Sequence, residues 1–524
     1  MSINKNIEAA AYIVERANLI KSRFDLDTIK REAAKKFKVG MILNSDIFKA
    51  YQQKKVKANE TFLHILKKRA VRTMSGIAPV AVLTKSYPCP GVCAYCPHEK
   101  NVPVSYLSNE PAVMRAIRCH YDPYVQVQLR LKALEANGHA PTKIELIVIG
   151  GTWSYLPAKY KYWYILECFR AANDFRIDKI KSRLPASSTL AKLKSALVKE
   201  QKRNENTKYQ IIGLTLETRP DYINAKEIAE MRSLGCTRVE IGVQAIDDEI
   251  LKKNQRGHKL EAIITATKLL KDSGFKVTYH IMPALPGSNP KKDLAMFKEL
   301  FSSQDYQPDQ IKFYPTVVTK GSLLYQWWRA GKYKPYSDKV LQNLIVECKK
   351  IVPKYVRIIR LIRDIPGESI EAGNKITNLR QIMKDRGVKC NCIRCREVKE
   401  QEQNIQANNL SFEIEKYPAS LGTEYFLSFN SKDKKLLYGF CRLRLHDDIA
   451  TIRELHVYGQ LVSVGSKKKV QHAGLGKQLM IKAEEIARMN KIKMIRVISG
   501  VGVRGYYRKL GYKLKDTYMV KNLS

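Results

Sequence analysis

Three cysteines share one short loop, Pro88-Cys89-Pro90-Gly91-Val92-Cys93-Ala94-Tyr95-Cys96-Pro97, at the spacing Cys-x3-Cys-x2-Cys. Thiolates so placed can hold three irons of a four-iron, four-sulfur cluster. The competing chemistry is a zinc knuckle short of one ligand. A second group, Cys390-Asn391-Cys392-Ile393-Arg394-Cys395, forms a three-ligand set for a structural zinc in a basic loop. Cys441, His446 and His456 qualify as its fourth ligand by residue type only. A third constellation, Gln471-His472-Ala473-Gly474-Leu475-Gly476, stands between a strand pattern and a helix pattern. Gln-x-x-Gly-x-Gly in that position is a pyrophosphate site, because glycines admit the phosphates to the backbone and the helix N-terminus supplies N–H donors.

Elements must position these residues, and the chain is long enough for two or three domains at 524 residues. Its 93 basic and 50 acidic residues give a formal charge of +43, a field that points to a nucleic-acid partner. No apolar run reaches the roughly 20 residues that span a bilayer, and the first residues lack a signal-peptide core. No membrane partner is expected. Eleven cysteines, an odd number partly clustered at ligand spacing, suit metal chemistry in a reducing cytoplasm better than a disulfide framework.

Residues 1–75 are expected to be helical and basic, with 17 Lys or Arg against 7 Asp or Glu and apolar residues at helical spacing in Ile7, Ala10, Ala11, Val14 and in Phe62, Ile65, Leu66. From 76 to about 380, short apolar strands alternate with amphipathic helices. The predicted strands are Ile77–Leu83, Lys143–Ile149, Gln210–Leu216, Arg238–Val243, Val277–Met282, Ile311–Val317 and Val356–Ile362. Such alternation predicts an α/β fold whose right-handed crossovers curl into a full or partial (β/α) barrel, with ligands at the C-terminal strand ends. The Lys-, Ser- and Asn-rich stretch 178–208 is expected to be a mobile basic insertion. Residues 381–405 form a zinc-binding linker in this reading. From about Ser411 the pattern turns to antiparallel strands, followed by a helix over Lys477–Asn490 and a strand over Met494–Ser499.

The cysteine loop, with the aromatic Tyr95 before its last cysteine, matches the pattern of radical S-adenosylmethionine enzymes. There the fourth iron is left without a protein ligand, and the cofactor chelates it. The Gln471–Gly476 loop, with Tyr506-Tyr507-Arg508-Lys509-Leu510-Gly511-Tyr512, looks like the acetyl-CoA loop of the GCN5-related acetyltransferases. Together with Glu217–Asp221, Thr237–Gln244, Tyr279–Gly287, Phe313–Lys320, Arg363–Gly367 and Ser499–Tyr512, these segments make the chain resemble the catalytic subunit of Elongator and its single-chain archaeal and bacterial relatives. The resemblance covers about residue 70 to the end. In eukaryotic members the first two cluster cysteines are further apart than here.

The resemblance implies a partial radical-SAM barrel (76–380) and an acetyl-CoA-binding α+β domain (406–524), behind the basic helical region (1–75) that would bind tRNA. It implies modification at carbon 5 of the wobble uridine, presented on a tRNA anticodon stem-loop. A 5′-deoxyadenosyl radical would remove hydrogen from the acetyl methyl group, and the carbon radical would add to uracil. Carbon 5 is not electrophilic and the methyl group is not readily deprotonated, so a cofactor radical avoids both obstacles. The cluster falls to Cys89, Cys93 and Cys96. Gly150, Gly151 and Thr152 resemble the motif that meets the amino group of S-adenosylmethionine; Glu217, Arg219 and Gln244 are further cofactor or substrate contacts. Gln471, Gly474, Leu475, Gly476 and Tyr507 are expected to bind acetyl-CoA, and Tyr506 or Tyr507 to protonate the departing thiolate. Cys390, Cys392 and Cys395 are the zinc ligands. Two other functions are compatible with the motifs: a protein lysine acetyltransferase with a structural iron–sulfur cluster, and a tRNA-binding scaffold without activity.

Overall fold

The computed structural model describes residues 2–54, 59–66, 76–177, 183–398, 410–458 and 474–523. Gln471 of the pyrophosphate motif lies outside them. Seven strands, β1 (Ile77–Leu83), β2 (Lys143–Ile149), β3 (Gln210–Thr218), β4 (Arg238–Gln244), β5 (Lys276–Ile281), β6 (Gln310–Phe313) and β7 (Arg357–Arg360), pair in sequence order, all parallel. Sequential order follows from a helical crossover between neighbours. The parallel strands bury apolar side chains outward against their helices, as Val80, Leu146, Val239 and Val277 do, each fully buried. The predicted strand to Val317 stops at Phe313 instead, because Pro315 has no N–H for the ladder.

A second sheet runs β13-β14-β12-β11-β10-β9-β8, with β8 (Leu410–Ala419), β9 (Gly422–Ser431), β10 (Leu437–His446), β11 (Ile449–Val457), β12 (Met494–Val497), β13 (Lys513–Lys515) and β14 (Tyr518–Asn522). Its pairs are antiparallel except β11–β12. That parallel pairing ends at Ile452–Val497 while β11 continues to Val457, so the two strands part. Helix Leu475–Met489 covers one face of this sheet with buried Leu479, Met480, Ala483 and Ala487.

The N-terminal helices Ser2–Glu15, Arg23–Phe37, Asn44–Gln53 and Glu60–Leu66 enclose a small core of their own around Ala9, Ile13, Val14, Ile47 and Phe62. Ile7, expected in the apolar stripe, is 51% exposed: the buried face is the one through Ala9, Ala10, Ile13 and Val14. The expectation of a mobile insertion is also corrected over residues 183–208, while 178–182 lie outside the described residues. Thr189 caps a helix, Leu190–Asn204, whose Leu193 and Leu197 are buried and whose Asn204 amide donates to Asn173 Oδ1 and Tyr209 O. The lysines on its outer face masked a one-turn leucine spacing. Among the described residues no helix is long and apolar enough to cross a membrane.

The second sheet covers the N-terminal ends of the parallel strands. A Cβ at Gly500 would lie 1.9 Å from Ile212 O, and one at Gly502 would lie 2.6 Å from Gln210 Cβ, so only glycine permits this approach to β3. Lys276 at the start of β5 reaches Glu454 at 3.3 Å, and Arg357 at the start of β7 donates to the Tyr458 hydroxyl at 3.0 Å. Asp309, just before β6, is fully buried and meets Arg453 Nη1 at 3.0 Å; Arg453 also meets Glu424 at 2.8 Å. These charges are compensated by one another, and removing one partner leaves the rest buried and unpaired.

Candidate active site

The cysteine loop follows β1 and lies at the C-terminal mouth of the curled sheet. Arg256, from after β4, places Nη1 3.3 Å from Cys93 Sγ. The hydrogen bond with Cys96 and then Arg256 hold the Cys93 thiol down at about 4, against its burial. A guanidinium beside a buried thiolate is a suitable neighbour for cluster ligation. Cys89 Sγ lies 3.9 Å from Thr152 Oγ1, which brings the end of β2 to the loop. Gly150 and Gly151 take φ of +132° and +99° there, and a Cβ on Gly150 would lie 2.1 Å from Thr84 Oγ1. Gly150 is pressed against Thr84, whereas Gly151, where a Cβ would meet nothing within 4 Å, lines the cavity and is the bare backbone that an amino-acid head group can approach; donor set and cradle fit an iron–sulfur cluster and its adenosyl cofactor.

The expected strand-end contacts separate into two kinds. Gln244 sits in the left-handed region at φ 69° with Oε1 buried and without a partner among the described residues, and it lines the cavity. Glu217 accepts from Tyr106 at 3.3 Å and meets His280 Nδ1 at 3.5 Å. Arg219 is already engaged: it chelates Asp221 at 2.9 and 2.8 Å and donates to Arg256 O at 2.8 Å. Its Nη1 faces Gly91, so Arg219 braces the cysteine loop. Sequence reading passed over Arg256 and Lys312. Neither stands in a motif, and only the fold brings each to its partner.

One cavity of about 2100 Å³ is lined by Cys89, Cys93 and Cys96 and also by Gly474, Gly476, Tyr506 and Tyr507. Gly474 caps helix Leu475–Met489 at φ 72°. Leu475 turns its side chain into the core, which leaves only its backbone amide for a phosphate. A Cβ on Gly476 would meet the Tyr506 hydroxyl at 2.9 Å. These features fit a diphosphate at the helix N-terminus. Tyr506 is 39% exposed, whereas Tyr507 is buried in the sheet core and stands edge-on to it at 5.2 Å. Burial pushes both phenols up.

Cys390, Cys392 and Cys395 bring their sulfurs within 4.8 Å of one another, and they are the only such group among the described residues. This spacing suits one ion held by thiolates. The three candidates for a fourth ligand do not join it. Cys441 is buried in the second core, His446 faces Asp447 at 3.0 Å, and His456 packs between Phe440 and Tyr458. The cysteine segment touches both sheets: Ile393 N donates to Val356 O at 2.9 Å, and Val398 N to Leu437 O at 3.1 Å.

A curled parallel sheet with a three-cysteine loop at its C-terminal mouth defines a radical S-adenosylmethionine enzyme. Family models agree, matching the Radical SAM superfamily over residues 85–300 and the Radical_SAM C-terminal domain over 308–387. The chain is 41% identical over 527 residues to a protein of Methanocaldococcus infernus named tRNA uridine(34) acetyltransferase, covering 95% of each. It is 42% identical to a Dehalococcoides mccartyi protein of the same name, over 87% of this chain and all of that one. Human Elongator complex protein 3 matches at 38% over 87% of this chain and 86% of its own length. The solved structure of the archaeal Methanocaldococcus infernus Elp3 with its N-terminus (1–46) deleted superimposes with a TM-score of 0.72 at 40% identity, covering 86% of this chain and all of that one. The chain belongs to the family of tRNA uridine(34) acetyltransferases and Elongator complex protein 3.

Proposed function

We propose that this enzyme modifies carbon 5 of the wobble uridine of tRNA with an acetyl-derived group, using acetyl-CoA and S-adenosylmethionine. The observation that carries this reading is the single cavity lined by both the cysteine loop and the Gly474–Gly476 turn. Cys89, Cys93 and Cys96 would hold a [4Fe–4S] cluster, with Gly150, Gly151, Thr152 and Gln244 around the adenosyl cofactor. When bound, that pair supplies a hydrogen-abstracting radical. Arg256 stands against the Cys93 sulfur, and Arg219 keeps the loop in place. Gly474, Leu475 and Gly476 bind the CoA diphosphate through backbone amides. Tyr506, whose hydroxyl stands at Gly476, is the better placed phenol to protonate the leaving thiolate, with Tyr507 as its packing support.

Arg357, Arg360 and Arg363 line the cavity wall beside β7. Arg357 pairs with Glu397 and Arg360 with Asp364, while Arg363 lies over the Tyr106 ring at 5.2 Å. With the basic N-terminal helices they would steer the phosphates of an anticodon stem-loop. Extruding the uridine costs a few kcal/mol in a duplex and less in a loop already partly unstacked. A zinc at Cys390, Cys392 and Cys395 would tie the two sheets together.

The test is to incubate reconstituted enzyme, reductant and S-adenosylmethionine with acetyl-labelled CoA and either tRNA or a lysine-rich peptide. Label in uridine is expected. Label in peptide alone would replace this function with protein acetylation.

A further inference from the structure

The cysteine loop concentrates negative charge that the protein has to balance. The thiolates of Cys89, Cys93 and Cys96 outweigh the charge of an oxidised [4Fe–4S] core, and they outweigh a reduced core further. In a site screened from water, such an excess favours a cation held close by.

Three arginines lie near enough to act on these thiols: Arg219 and Arg256 on Cys93, Arg256 and Arg363 on Cys96. Two of them are already matched. Arg219 chelates Asp221 at 2.9 and 2.8 Å, and Arg363 lies 3.5 Å from Glu110. Arg256 forms no ion pair with a carboxylate among the described residues. It is 6% exposed, donates through Nη1 to Cys93 Sγ at 3.3 Å and through Nη2 to Gly242 O, and its Nε has no partner among the described residues. A guanidinium keeps its proton in a protein. The countercharge of Arg256 is therefore the cysteine loop itself.

The fold holds this guanidinium from several sides. Arg256 O accepts from Arg219 Nη2 at 2.8 Å, and Asn254 O accepts from Ala94 N, inside the cysteine loop, at 3.0 Å. Gln255 between them is left-handed at φ 55°, a conformation that persists where the surroundings impose it. Gly242 on β4 leaves the space: a Cβ there would lie 2.5 Å from Arg256 Nη2.

Building on the function proposed above, we infer that Arg256 is a positioning residue that acts on the cluster through Cys93 and raises its reduction potential. Reduction takes one electron from an external donor and breaks no bond. It adds negative charge beside a fixed cation that already donates a hydrogen bond to a ligand sulfur, so the reduced form gains more than the oxidised form. A weaker electron donor then suffices to charge the cluster.

The test is potentiometric titration of the anaerobically reconstituted full chain with titanium(III) citrate, followed by visible absorbance and by the paramagnetic resonance of the reduced cluster, without tRNA or acetyl-CoA. Arg256→Met should shift the reduction equilibrium tenfold or more toward the oxidised cluster, about 59 mV for a one-electron couple, at unchanged iron content. Arg256→Lys keeps the charge and should recover most of that shift. Gly242→Ala, whose methyl group displaces the guanidinium, should shift the equilibrium in the same direction as Arg256→Met. An unchanged potential in Arg256→Met at full iron content overturns the inference. If Arg256→Met does not retain iron, Gly242→Ala decides, and an unchanged potential there overturns it. Loss of iron in all three variants would make Arg256 a structural brace and would overturn it as well. An unsubstituted chain that takes up no cluster would instead fail the function proposed above, whereas a loaded chain whose potential ignores Arg256 fails this inference alone.

Discussion

At the scale of single residues, neighbouring tyrosines have unlike surroundings. Tyr506 is partly exposed with its hydroxyl against Gly476, and Tyr507 is packed beside Tyr512 in the sheet core. Tyr506→Phe is expected to lower tRNA-dependent acetyl-CoA cleavage by roughly 100-fold, the scale of a general acid, with CoA affinity unchanged. Tyr507→Phe should keep most turnover, whereas Tyr507→Ala should cost about 3–5 kcal/mol of stability. Steady-state kinetics and thermal unfolding separate the two. Loss of turnover in Tyr507→Phe, with Tyr506→Phe normal, would transfer the acid role to Tyr507.

At the scale of elements, the segment 390–398 lies between β7 and β10. Arg396 spans the junction, donating to Lys354 O at 2.8 Å and to Asn430 Oδ1 at 3.0 Å. A metal at the three sulfurs would hold this segment closed. Metal analysis of the purified chain should give one zinc per chain. Cys392→Ser should abolish it and lower the unfolding temperature, while affinity for CoA stays within about twofold. Protein prepared without chelators that carries no zinc would refute the assignment.

For the whole molecule, the junction between the sheets is ionic, and it should loosen in acid. Despite burial, Lys276 and Arg442 hold the Glu454 carboxyl down at about 2. A carboxylate with a lowered folded-state pKa stabilises the fold above its unfolded value near 4.3, and that contribution fades as pH falls toward 2. The shift corresponds to about 3 kcal/mol. Glu454→Gln should therefore be less stable at neutral pH and show a flatter loss of stability between about pH 4.5 and 2. Parallel acid curves for the two proteins would contradict this. The charge of +43 bears on partners instead. Deleting residues 1–70 should weaken tRNA binding and reduce the slope of log affinity against log salt by roughly 0.7–0.9 for each phosphate that the shortened chain no longer neutralises. Cluster iron and CoA affinity should be retained. An unchanged slope would mean that the N-terminal charge is only a solvated surface.

Local features were determined by sequence alone. The cysteine spacings, the glycine turn before a helix and the strand–helix alternation are each written in residues close along the chain, and strands β1 and β2 fall where periodicity puts them. Family membership followed from the same segments. Where a reading failed, a local signal was overlaid by another, as the lysines of Leu190–Asn204 hid Leu193 and Leu197. What the tertiary structure decided is which distant residues meet. Arg256 reaches Cys93 across 163 positions, and Arg453 reaches Asp309 across 144. The polar wall of the cavity arises because β4, β5 and β6 each turn a charged or imidazole side chain inward, and Glu240, His280 and Lys312 meet there. Alternation marks such residues as facing one side of a strand. Only the curl of the sheet, and the second sheet seated on its N-terminal end, make that side the wall of a cavity.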